Sequence, residues 1–171
     1  MRDHRGMLAS LFEPWPVLIE MWRVLPGPPD VVWRLITDWE HQDDWMLEAR
    51  DFVITSAHRE GLGVTGRATV RIGGITTTDE VVVTGWDPQR RLAIEHAGWV
   101  SGRAEMLLTA LPEGGTHILW REELICQSLG AVGSIGLAVF RPFMRMIFVR
   151  DLRILESLAR AASHGRSSAV R

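Results

Sequence analysis

The chain has 171 residues, 46% of them hydrophobic and 23% charged, with a formal net charge of -2 at pH 7, which suits one domain with a substantial core. Acidic and basic residues are interspersed, so there is no broad positive face for nucleic acid, and a single cysteine, Cys126, excludes an internal disulfide and a cysteine-built metal cluster. Lysine, tyrosine and asparagine are absent, which removes a Schiff-base lysine, a phosphate-loop lysine and a tyrosine acid from consideration.

Residues 1–15 carry Arg2 and Arg5 and only a broken apolar run ending at Phe12. They read as an extension ahead of the domain rather than as a secretory signal, and with the lone cysteine this leads us to expect a cytoplasmic protein. The domain is expected over 16–162 and a flexible tail over 163–171. From Pro16 to Val24, Val17, Ile19 and Met21 alternate with Leu18, Glu20 and Trp22, the pattern of a strand with one covered face. The turn Pro26-Gly27-Pro28-Pro29 ends it. Asp30 is the expected N-cap of a short helix burying Val32, Leu35, Ile36 and Trp39, and Asp38 to Trp45 reads as a second helical piece.

From Asp51 the pattern becomes strand, turn, strand, with strands expected over 51–59, 66–72, 75–86, 91–96, 102–111 and 116–125. The tight turns between them imply an antiparallel meander; proline and glycine in 87–90 and 112–115 supply ordinary turn chemistry. Gly61-x-Gly63-x-x-Gly66 matches a dinucleotide pattern in letters only, because it lies between strands rather than before a helix. Leu137 to Ala162 then reads as one long amphipathic helix, with Phe140, Phe143, Met144, Ile147, Asp151, Ile154, Leu155 and Leu158 at three- and four-residue steps. Pro142 inside it predicts a kink or a restart. The most apolar segment, Gly130–Phe140, is about eleven residues against the roughly twenty that crossing a bilayer requires.

This order of one strand, two short helices, six strands and a long helix, with Trp86-Asp87-Pro88-Gln89-Arg90-Arg91-Leu92 at a strand junction, Gly115-Thr116 opening the last strand and Arg145 to Leu158 closing the chain, resembles the polyketide cyclase/dehydrase-like branch of the START/Bet v 1 helix-grip superfamily. The resemblance covers nearly the whole chain. It implies an α+β helix-grip fold, a seven-stranded antiparallel sheet curled around the C-terminal helix, enclosing an apolar cavity for a lipid, polyketide, sterol or other hydrophobic small molecule. No cofactor is implied.

Alternation along the strands assigns Leu92, Ile94 and His96 to one face, Ala104, Met106 and Leu108 to another inward set, and Ile118, Trp120, Glu122 and Leu124 to a third. Ala68, Val70 and Ile72 face inward on the second meander strand. The strand over 75–86 tolerates both registers, and we take Asp79, Val81 and Val83 as inward. His96 with Glu122 or Asp79 is therefore the candidate general acid–base pair, because charges on an apolar face must be paired or have their pKa moved. The plainer alternative is a strand-end His96 and a Glu122 bonded to backbone or to a helix arginine.

The expected ligand wall is Val70, Ile72, Val83, Ile94, Met106, Leu108, Ile118 and Trp120 from the sheet. The helix adds Phe140, Phe143, Met144, Ile147 and Asp151. Asp151 admits two readings, a polar contact to ligand or a helix-surface carboxylate pairing with Arg150 or Arg153, the second being the simpler. Trp120 with Trp45 or Trp99 offers a stack for a flat ligand. Asp38, His41, Asp43 and Asp44 are the densest set of possible metal ligands, but they serve equally as caps and solvated charge, so no metal site is assigned. Three functions follow as expectations: a binder of a hydrophobic small molecule; a cyclase or dehydratase using His96, Glu122 and Asp79; and a lipid-transfer protein whose Arg141, Arg145, Arg150 and Arg153 meet membrane headgroups. The oligomeric state is not legible.

Overall fold

A computed structural model describes residues 13–169, with side chains to Gly165. Strand β1 (Val17–Leu25) is followed by helix α1 (Pro29–Thr37) and a 3-10 turn over Trp39–Asp44. Six strands come next: β2 (Ala49–Ile54), β3 (Thr65–Ile72), β4 (Ile75–Asp87), β5 (Arg91–Ala97), β6 (Ser101–Ala110) and β7 (Thr116–Ile125). A short 3-10 turn over Gln127–Leu129 leads into α2 (Gly130–Ala169). The seven strands form one antiparallel sheet in the order β1-β7-β6-β5-β4-β3-β2. The expected helix-grip fold is the one observed.

Alternation decides the two faces. Val17, Ile19 and Met21 on β1, and Ile118, Trp120 and Leu124 on β7, are all under 8% exposed and form the floor on which α2 rests. The opposite face is charged: Arg91 meets Glu105 at 2.6 Å, Arg121 meets Glu20 at 2.8 Å and Arg67 meets Glu80 at 3.4 Å. Each exposed cross-strand pair contributes little stability, but together they keep that face wetted. A bulge on β4 between Val83 and Gly85 shifts the pairing with β5, so that Val83 opposes Ile94 while Trp86 opposes Leu92. Inward register therefore passes from Val83 to Trp86 across an odd step, and Trp86 reaches Trp33 edge-on at 5.0 Å.

Helix α1 begins on Pro28 rather than on Asp30, with Pro29 in its first turn and Asp30 placed inside it near the positive end of the helix dipole. Its buried set is Val31, Val32, Trp33 and Ile36. Trp33, not Leu35, completes it, because the sheet's bulge brings Trp86 against that side. Strand β2 is shorter than the expected 51–59 and begins earlier: Asp51 takes a φ of 53° and the register with β3 slips between Arg50 and Val53.

Helix α2 is longer than its apolar stripe, starting at Gly130 and running through Pro142 without interruption. Proline removes the bond to the carbonyl four residues back, that of Ala138. Ala138 and its neighbours to Phe143 are all exposed, so water accepts what the helix lacks. The C-terminal half is the packed half, with Leu152, Leu155 and Ala159 at 0–1% exposure and a tie from Glu156 to Arg23 of β1. The helix is long and apolar enough to cross a membrane by length and composition, and its C-terminal half is packed as the core helix of the fold. Of the expected terminal segments, residues 1–12 and 170–171 lie outside the described residues, and 163–169 continue the helix.

Leu155→Ala is expected to lower unfolding free energy by about 2–5 kcal/mol, whereas Val139→Ser, at a position 71% exposed, stays within about 0.5 kcal/mol of wild type. Urea unfolding followed by circular dichroism distinguishes the two.

Candidate functional site

Three strands deliver one polar array to the inner face. His96 of β5 places Nε2 2.9 Å from Oε1 of Glu122 on β7, and its Nδ1 lies 3.8 Å from Oδ2 of Asp79 on β4. The second oxygen of Glu122 accepts from Trp120 Nε1 at 2.9 Å, and Asp79 Oδ1 accepts from Thr77 Oγ1 at 3.0 Å. Glu122 is thus held by an indole and an imidazole, not by backbone or a helix arginine. Asp79 faces inward, as its assigned register requires.

Small residues make the array possible. His96 and Glu122 are separated by β6, where their cross-strand neighbours are Gly102 and Ala104. A Cβ on Gly102 would lie 2.7 Å from His96 Nε2 and would collide with the Glu123 carbonyl, so only glycine lets the ring cross the strand. Gly98 does the same for Asp79, whose carboxylate occupies the space a side chain there would need.

The side chains of His96, Glu122 and Asp79 are 13%, 7% and 12% exposed. Burial disfavours the imidazolium, but the hydrogen bond and charge of Glu122 and the charge of Asp79 outweigh it, so the His96 pKa stands above its ordinary value. The ring is therefore favoured as an acid. Its Nδ1 is buried without a hydrogen-bond partner, because 3.8 Å to Asp79 is too long for one.

A second buried cluster escaped the sequence reading. Asp151 is 0% exposed rather than on the helix surface; it does pair with Arg150, at 2.6 Å, but Arg150 also reaches Glu48 at 2.6 Å. Arg150 is accordingly an internal bridge and not a headgroup contact. Burial, reinforced by the hydrogen bond and charge of Asp151, pushes the Glu48 pKa up to about 8. No N–H or hydroxyl donor reaches Glu48 Oε1 or Asp151 Oδ2, so the hydrogen bond open to them is the one a protonated Glu48 makes to Asp151; Gln42 Oε1 and Trp45 Nε1 are buried without partners. Glu48 follows a helical piece and precedes an edge strand, where neither period applies, so no pattern marked it. Asp151 was visible as the one acid in an apolar stripe.

The expected wall residues divide by strand. Met106, Leu108, Ile118, Trp120 and Val83 are buried, as are Met144 and Ile147 on α2. Trp120 packs against Trp45 and Phe148, with ring centroids 5.9 and 5.0 Å apart, while Trp99 is 48% exposed and takes no part. Val70, Ile72 and Ile94 on β3 and β5 are only half-buried, because α2 packs on β1 and β7 and leaves the inner face of the other strands less covered. Phe140 and Phe143 are 57% and 38% exposed and meet edge-on at 6.1 Å. A concavity of about 910 Å³ runs over β3 to β7 past Arg67, Glu80, Glu95 and Arg103, and His96 and Gly102 also line it. Of the acidic cluster near α1, Asp38 and His41 form an exposed pair at 3.0 Å.

A family described as polyketide cyclase / dehydrase and lipid transport matches residues 17–160. The chain belongs to that family. No curated protein matches this family member. Solved structures share its fold at low identity. The Zhui aromatase/cyclase from Streptomyces sp. R1128 is 19% identical with a TM-score of 0.62, covering 87% of this chain and 94% of its own. A START superfamily protein from Mycobacterium smegmatis is 13% identical at 0.61, covering 90% and 99%, and Ara h 8.0201 is 13% identical at 0.63, covering 86% and 99%. The polyketide cyclase/dehydrase and lipid transport fold is thereby shared across the START and Bet v 1 relatives that the sequence resembled.

Both His96 and Glu48 bind their protons more tightly folded than unfolded. Stability from such groups is present below the unfolded pKa, about 6.5 for histidine and 4.5 for glutamate, and is lost as pH rises through the folded value. Glu156, held below its ordinary value first by its hydrogen bond to Arg23, loses its contribution only on further acidification. The melting temperature of this family member is therefore expected to fall between pH 5.5 and 8.5, and Glu48→Gln to fall less steeply; calorimetry showing a rise with pH would contradict the assignment.

Proposed function

We propose that the protein binds a hydrophobic small molecule, a lipid or a polyketide-like chain, on the half-covered inner face of β3 to β5, with its polar end at His96, Asp79 and Glu122. The observation that carries this reading is the buried carboxylate–imidazole–carboxylate array set in apolar surface, with one ring nitrogen lacking a hydrogen bond. A satisfied structural histidine spends both nitrogens on protein groups. Here Nδ1 has a donor or acceptor to offer a guest carbonyl or hydroxyl, while Ile94, two residues away on β5, and Val70 and Ile72 further along β3 supply apolar contact. Buried Cys126, the single thiol, suits a reducing compartment and hence the cytoplasm.

A second reading, cyclisation or dehydration of a bound polyketide-like chain, is favoured by one feature: His96 is held toward its acid form beside two carboxylates. Such a set donates a proton to a carbonyl or hydroxyl from the ring and accepts one at a neighbouring carboxylate. The carrier and the enzyme use the same residues and differ in what substitution does.

Native mass spectrometry of the purified protein, with organic extraction of what accompanies it, is expected to reveal a retained lipid or polyketide-like molecule. Ile94→Trp, which fills a half-buried position on that face, is expected to reduce the bound fraction at least tenfold. Equal occupancy in wild type and variant would remove the proposed seat. His96→Ala and Glu122→Gln that abolish turnover of a polyketide-like substrate yet keep its affinity select the enzyme; loss of affinity in both selects the carrier.

A further inference from the structure

The first half of α2 carries an apolar face that the ligand reading does not use. Ser134, 0% exposed, takes a hydrogen bond from the backbone N–H of Trp15 and donates to its carbonyl, both at 2.8 Å, which fixes one side of the helix against the body. On the other side stand Val132, Ile135, Val139, Phe143 and Met146, 72%, 55%, 71%, 38% and 61% exposed. At 3.6 residues per turn their steps of three and four residues put them in an arc of about 80°. Phe140 borders it. A contiguous row of large exposed apolar side chains marks an interaction surface rather than ordinary scatter.

Charge indicates the partner. Residues 124–150 contain no acidic residue, and the arginines of this half, Arg141 and Arg145, are both exposed. Arg145 flanks the apolar row by about a third of a turn, and Arg153, exposed, lies on the row's own side two turns beyond Met146. Arg150, tied to Glu48 and Asp151, does not contribute. A two-fold contact between copies through this row would gather arginines from both with no carboxylate in 124–150 to offset them. Crossing a bilayer is excluded for the same helix because Ile147, Phe148, Leu152 and Leu155 are committed to the core.

We propose that residues 132–146 of α2 dock the protein on an anionic lipid bilayer, lying in the interface plane with Val132, Ile135, Val139, Phe143 and Met146 among the acyl-chain ends and Arg145 and Arg153 on the headgroups. Apolar area supplies the affinity and the arginines select the charge. The inference stands apart from the ligand seat, since none of the docking positions tested below lies on the sheet.

The test is co-sedimentation of the full chain with vesicles of phosphatidylcholine and phosphatidylglycerol in equal parts, against phosphatidylcholine alone. Binding is expected to the anionic vesicles, to weaken at least tenfold on raising salt from 50 to 500 mM, and to fall at least tenfold in Val139→Asp and in the Arg145→Glu/Arg153→Glu pair. Circular dichroism and unfolding midpoint confirm that these surface variants are folded. Equal binding to both vesicles, or binding that survives both variants, overturns the proposal, as does its complete absence. A wild-type dimer in sedimentation equilibrium that Val139→Asp converts to monomer also overturns it, by assigning the row to a second copy. His96→Ala is expected to bind vesicles like wild type, which separates failure of docking from failure of the ligand reading.

Discussion

Packing one stripe of a forty-residue helix on the corner formed by β1 and β7 governs what the rest of the molecule offers. Met144, Ile147, Phe148, Leu152, Leu155 and Ala159 are consumed in that seam, and the hydrophobic gain from burying them is the main term holding helix to sheet. Because the seam lies at one side of the sheet, Val70, Ile72 and Ile94 on β3 and β5 are only half-covered. Because it lies in the C-terminal half of the helix, the first half stands clear with apolar residues facing out. The ligand seat and the docking row both follow from where that seam runs.

Two buried charge clusters flank the seam, and they differ in construction. At His96 the acid and base come from three strands, and the geometry rests on absent side chains at Gly98 and Gly102. At Glu48 the carboxyl groups come from a loop and a helix, with Arg150 reaching in from a partly exposed position. Burying ionised groups costs several kcal/mol apiece unless they are paired, and here Arg150 pairs with both carboxyl groups while burial raises the Glu48 pKa. A surface built for stability alone has little use for a partnerless atom such as His96 Nδ1.

The charged outer face completes the division of labour. Its cross-strand pairs present both signs in alternation across β3 to β7, while Leu18, Trp22 and Val24 stand exposed beside Glu20 on β1. Polarity thus sets the proposed ligand seat on one face of the sheet and the proposed docking row on one face of one helix, each by burial cost rather than by shape alone.

How much of this the chain discloses unaided depends on the range of the interaction. Period-two alternation and turn residues placed six meander strands and the inward sides of His96 and Glu122, since a strand's faces are a local property, whereas the strand bearing Asp79 tolerated both registers. The three- and four-residue steps of α2 announced a long helix for the same reason. That His96 touches Glu122 across an intervening strand depends on Gly102 lying between them in the sheet, which is a matter of register. Glu48 belongs with Asp151 through a contact spanning over a hundred residues, and the rotation of α2 that buries Asp151 while exposing Val139 is set by the floor it lands on. Local sequence fixes which way a side chain points within its element; only assembly decides what stands opposite, because burial and pairing are properties of two elements at once.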